Sequence, residues 1–264
     1  MSFLGKTLSP LRSVLDEIHG IVKELHFDPS NHQHLLGGAL LGRILEVAEG
    51  IYTTLERQDS ACGFILLRSL LEAYVDLINV STDPSYVEFM NAAFLDQQCV
   101  LLEAAVEKGS KSPFIASLSG SPRAAEQLEE VRSTLKQLKE RQIKPLSVRK
   151  RFERAGQLDY YYGPYAHLCW HSHNNLNILE GNHLRSTDAG IELRAFISID
   201  DDDVVLIADT VAGISSNCVA SVKKLLEGEP VTGLERLTEG LGNLRDLWHK
   251  ERGAAPNQGP AADA

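Results

Sequence analysis

Three charged residues interrupt an otherwise apolar stretch of the chain. In GFILLRSLLEAYVDLI, residues 63–78, Arg68, Glu72 and Asp76 recur at i, i+4 and i+8. That spacing puts them on one slowly drifting face of a helix. Long charged side chains are seldom fully buried unless paired. Arg68 and Glu72 can pair, but the pair leaves guanidinium donors and carboxylate lone pairs to satisfy. A second stripe offers partners. Tyr161, Tyr165, Cys169 and His173 recur every four residues, with His167 and His171 on a neighbouring face and Trp170 beside them. A phenol, a thiol and an imidazole can all hydrogen-bond a buried Arg and Glu. The two stripes are expected to face each other, gathering Arg68, Glu72, Tyr165 and His173 into a polar pocket lined by Asp76, Tyr161 and Cys169.

Such a set suits metal-free phosphate chemistry. RNA cleavage needs a base for the 2′-hydroxyl, an acid for the leaving oxygen and a cation for the phosphorane. His173 exchanges protons near neutrality. Arg68 can hold phosphate bidentately and stabilise developing charge. Tyr165 can donate to the phosphate while Glu72 fixes Arg68. The competing reading is a satisfied network that sets helix register in a non-catalytic bundle, which binds a partner protein or small ligand. No cofactor is expected. The best metal set, His167, His171 and His173 with Glu72, fails on an unbroken helix, where positions 171 and 173 point about 200° apart.

The elements that must carry these stripes read as helices. Leu11, Val14, Leu15, Ile18, Val22 and Leu25 form an apolar stripe, with Ser9-Pro10 as a plausible helix start. Further helices are expected over 31–55, 61–80, from Asp83-Pro84 to about 109, over 122–142, 147–154 and 160–180, and from the Asp200–Asp203 run to 227. The helix over 61–80 is apolar on most faces and belongs at the centre of a bundle. Residues 111–121 read as a loop. Residues 194–199 could form a short strand or extended arm, since aromatic and β-branched residues compete with helix there. A last amphipathic helix covers 234–250, and its leucine stripe would serve homodimerisation or packing on its own bundle. The tail, 253–264, has the composition of a disordered segment. The whole reads as one all-α domain over 1–252, a multi-helix bundle of about eight helices.

Composition narrows the class. The chain has 264 residues, 43% of them hydrophobic, which excludes bulk disorder. Its 26 Lys and Arg against 36 Asp and Glu give a net charge of -10. An acidic surface argues against coating nucleic acid or anionic membrane as a whole. Residues 132–154 depart from this, with nine basic residues, two acids and a local charge of +7. Arg149, Lys150 and Arg151 are the candidates to touch phosphates at the pocket mouth. The scattered cysteines suit reduced thiols. No leader or membrane-spanning run is read, so the expectation is a cytoplasmic protein without a membrane partner.

Arg68-x-x-x-Glu72, followed about 100 residues on by Tyr165-x-x-x-Cys169-x-x-x-His173, resembles a bacterial helical family catalogued only as a domain of unknown function. Members more usually carry Ser where this chain has Cys169. The resemblance spans roughly residues 35–180 and implies an all-helical fold with a shared polar site, but no activity. A more distant analogy is to HEPN-type helical ribonucleases of toxin and phage-defence systems. Their signature has four to six residues between Arg and His, whereas Arg245 and His249 have three between them. The analogy implies RNA, or another phosphate-containing ligand, as partner.

Overall fold

The computed structural model describes residues 3–107 and 122–228 apart from 174, 189 and 196, with a few isolated positions at 112, 113, 115, 242 and 246. The expected loop over 111–121, helix over 234–250 and tail from 253 fall outside these, save for those isolated positions. Helix α1 runs Phe3–Val22, α2 His32–Glu56, α3 Ser60–Thr82, α4 Tyr86–Val106, α5 Pro122–Glu140 and α6 Val148–Arg154. After α6 come a three-residue turn α7 (Leu158–Tyr160), a π-helical turn Tyr161–Tyr165, α8 (Ala166–Ser172) and α9 (Leu176–His183). Strands β1 (Leu184–Thr187) and β2 (Gly190–Leu193) form a hairpin, and α10 spans Asp201–Glu227. The fold is an all-α bundle, with nine helices of seven residues or more among the described residues.

Short polar residues set several helix starts by accepting orphan backbone N–H groups. Asn31 caps α2, Asp59 caps α3, Ser147 caps α6 and Asp200 caps α10. The start expected at Ser9-Pro10 is wrong. Helix α1 begins near Phe3 and runs through Pro10. Burial of Thr7 and Leu8 and packing of Leu4 on the core stabilise the turns before the proline, which offsets the hydrogen bond that Pro10 cannot donate.

Helix α3 lies at the centre, against α2, α4, α6, α8 and α10. Leu67, Leu70, Leu71, Val75 and Leu77 join the side chains of α1, α2 and α10 in the main core. Helix α10 is long and apolar enough to cross a membrane by length and composition, and twelve of its residues are buried in the bundle. Helices α4 and α5 pack antiparallel as an arm with small cores of their own. Leu102 meets Ala124, Leu128 and Val131 in one, and Ala92 meets Leu138 and Ile143 in the other.

One expectation fails between residues 160 and 199. One helix over 160–180 is in fact three pieces. Pro164 cannot donate to the preceding turn, and the π turn absorbs the defect. His173 then leaves helical geometry (φ -128°, ψ 53°), and Asn175 caps α9 anew. The strand pairing lies in the hairpin 184–193, and 194–199 takes the extended-arm alternative. Ser198 pairs in an isolated bridge with Asp59, and the Arg194 and Ile199 amides donate to the His183 and Gln58 carbonyls.

Candidate functional site

One face of α3 carries a line of polar side chains one turn apart, Arg68, Glu72, Asp76 and then Asn79. Helices α6 and α8 cover it. Arg68 Nη2 donates to the Tyr165 phenol oxygen at 2.9 Å and lies 2.9 Å from Glu72 Oε1. The Tyr165 hydroxyl in turn donates to Glu72 Oε1 at 2.9 Å. The structure thus brings together three of the four central residues, Arg68, Glu72 and Tyr165. Tyr165 is buried and packs on the fully buried Phe152, with Tyr161 stacked beside it at 5.6 Å. Burial, and then the hydrogen bond to Glu72, push the Tyr165 phenol above its ordinary value. It therefore stays a donor at neutral pH. Burial lowers the Arg68 pKa, but the Cys169 thiol and then Glu72 outweigh it, so the guanidinium stays charged.

The other half of the line belongs to Arg151. Its Nε donates to Asp76 Oδ1 at 2.8 Å and Nη2 to Asp76 Oδ2 at 2.5 Å, a bidentate fork. Nη1 reaches Glu72 Oε2 at 3.3 Å, and Nη2 also meets the Glu72 carbonyl at 3.2 Å. Tyr86 donates to Asp76 Oδ1 at 2.6 Å. Asn79, fully buried, donates to the Arg151 carbonyl at 2.9 Å. Two guanidinium groups thus face two carboxylates. They differ in how far they are used. Every nitrogen of Arg151 has a partner, whereas Arg68 meets Tyr165 and Glu72 through Nη2 and its buried Nε has none.

Arg151 is thereby misassigned as a phosphate contact. Its charge is taken up by Asp76 and Glu72, and its side chain is 19% exposed. The same holds for much of the basic segment. Arg132 bridges to Glu103 and Glu107, Arg141 to Glu88 and Arg154 to Asp83. These arginines clasp α5 to α4 and α6 to the end of α3. Arg149 and Lys150 remain exposed, with Arg149 lying 5.8 Å over the Tyr162 ring.

His173 is not brought to the cluster. It is exposed where α8 ends, and no hydrogen bond or ion pair among the described residues ties it to Arg68, Glu72 or Tyr165. The imidazoles on the α3 side are those of His171 and His167. One turn before Arg68, Phe64 stacks on His171 at 4.2 Å, and His167 lies 5.1 Å from His171. Burial, and then His167, lower the His171 pKa. Although the helix does break at 173, no three His, Cys, Asp or Glu side chains gather to hold a metal ion among the described residues.

A model of a family of unknown function, DUF5677, matches residues 34–191, more than half of the chain. The chain belongs to this family. The DUF5677 region contains the whole polar line, from Phe64 and Arg68 on α3 to Arg151, Tyr165 and His171, while α1 and α10 lie outside it. No curated protein and no solved structure matches the chain.

Sequence reasoning missed Asn79, Tyr86 and the role of Arg151. Asn79 carried a signal, since it extends 68, 72, 76 by three residues on the same helical face. Tyr86 and Arg151 carried none, because the turns that deliver them to Asp76 are not periodic.

Proposed function

We propose that this DUF5677 protein holds a phosphate group at Arg68 and acts as a metal-independent ribonuclease or related phosphate-chemistry enzyme. The observation that carries this reading is the difference between the two arginines. Arg151 is saturated and structural, while the buried Nε of Arg68 has no partner, on a side chain about one quarter exposed. A phosphate oxygen would complete that guanidinium. Tyr165, held protonated, would donate beside it. His171, held neutral one turn of α3 away, would take the 2′-hydroxyl proton. The 2′-oxygen would attack phosphorus, and the 5′-oxygen would leave with a proton returned by the exposed His167. The products are a cyclic phosphate and a free 5′-hydroxyl. A cytoplasmic role in bacterial stress, toxin action or phage defence is the setting proposed with it.

A second reading has its own support. The Arg151–Asp76–Tyr86 half is fully hydrogen-bonded, as a network that only fixes helix register would be. The protein would then be a non-catalytic bundle binding a partner or small ligand. The test is incubation of RNA with EDTA and wild type, Arg68→Ala or His171→Ala protein. Cleavage by wild type alone supports the enzyme. Equal, negligible cleavage by all three removes it in favour of the second reading.

A further inference from the structure

A cavity of about 410 Å³ opens at the Asp76 end of the polar line, between α4 and the Pro145–Leu146 turn. It is remote in role from Arg68, which does not line it. Phe89, Met90, Phe94 and Leu146 form its apolar walls, and Asp76, Asp96 and Arg151 are charged groups on its lining. Phe94 is 60% exposed, an unusual placement for a phenyl ring.

The charges decide what this cavity accepts. Arg151 is the only cation on the lining, and its nitrogens are spent on Asp76 and Glu72. A nearby cation, Arg154, lies over the Phe89 ring and pairs with Asp83. A carboxylate or phosphate entering here would meet no free donor from these groups. It would face Asp96, which has no ion-pair partner among the described residues. A cation gains by pairing with Asp96, while Phe94 offers an apolar wall to its body; the Phe89 ring already carries the Arg154 guanidinium. The thioether of Met90 adds a soft, adaptable wall for an apolar body.

We propose that this cavity binds a small organic cation, a protonated amine carrying an aromatic or aliphatic body. The ammonium pairs with Asp96, and the body fills the slot against Phe94, Met90 and Leu146. The net charge of -10 raises the local concentration of such ligands. The site is independent of phosphate binding at Arg68.

The test uses three probes of one shape, phenethylamine, phenethyl alcohol and phenylacetate, titrated calorimetrically at pH 7. The amine is expected to bind saturably and at least about fivefold more tightly than the alcohol, with phenylacetate weakest. Asp96→Asn should bring the amine-to-alcohol ratio close to one, and Phe94→Ala should weaken the amine. Both side chains lie on the rim, so folding is not at stake. Arg68→Met should leave amine binding unchanged. Equal affinity for amine and alcohol, binding of phenylacetate as tight as the amine, an unchanged ratio in Asp96→Asn, or no saturable binding would each overturn the proposal.

Discussion

Replacing Arg151 by Met should unsettle the bundle more than any other single change in the polar line. Met fills a similar volume but leaves Asp76 and one oxygen of Glu72 facing each other on α3 without a counter-charge. Arg151 makes four contacts of 2.5–3.3 Å to these residues. Removing one partner of a buried pair costs about 3–5 kcal/mol. Here Arg151, Asp76 and Glu72 keep 19%, 14% and 24% of their side-chain surface, so solvent screening takes the value toward the lower end. About 2–4 kcal/mol remains, or a fall in Tm of about 5–15 °C for a chain of this size. Urea unfolding followed by circular dichroism would measure it. The double variant Arg151→Met with Asp76→Asn should recover much of the loss, because the unpaired charge is removed while an amide oxygen remains to accept from Tyr86. A loss below about 0.5 kcal/mol in Arg151→Met, or a double variant less stable than the single, would refute the structural role given to Arg151.

Other expectations follow from the same geometry. Tyr165→Phe keeps the ring on Phe152 and the Arg68–Glu72 contact but removes the bridging hydroxyl, so it should cost about 1–2 kcal/mol in denaturant unfolding. His171 has a lowered pKa when folded, so the unfolded chain takes up its proton first. Its contribution is whole above the ordinary imidazole value and is lost as pH falls below it. In His171→Phe the decline of stability on acidification should be shallower below about pH 6.5, as read by Tm against pH. Asp200→Ala removes the side chain that accepts from the Asp203 amide at 2.8 Å and should cost about 1 kcal/mol.

The residues that met across the bundle were legible in the sequence wherever periodicity ran unbroken. Arg68, Glu72 and Asp76 do share a face because α3 is regular over those turns, and Tyr165, the last residue of the π turn, and Cys169 on α8 do meet Arg68. His173 was lost by extending the same count through a break. Asn175 is the cap of a new helix, which marks that break, and Gly163-Pro164 marks the π turn upstream. The basic segment misled in another way. Charge counting sees nine cations but not the carboxylates of α3 and α4 that fold against them. Arg132, Arg141, Arg151 and Arg154 each find an acid at long sequence separation. Pairing at that range depends on tertiary packing, which local pattern does not encode.

The division of labour between the two arginines is tested most directly by binding of a fluorescent single-stranded RNA oligonucleotide in EDTA, followed by anisotropy. Wild type should bind saturably, and Arg68→Met should lose at least about tenfold in affinity while its Tm stays within a few degrees of wild type. Unchanged RNA binding by Arg68→Met, or no binding by wild type, would contradict a phosphate site at Arg68.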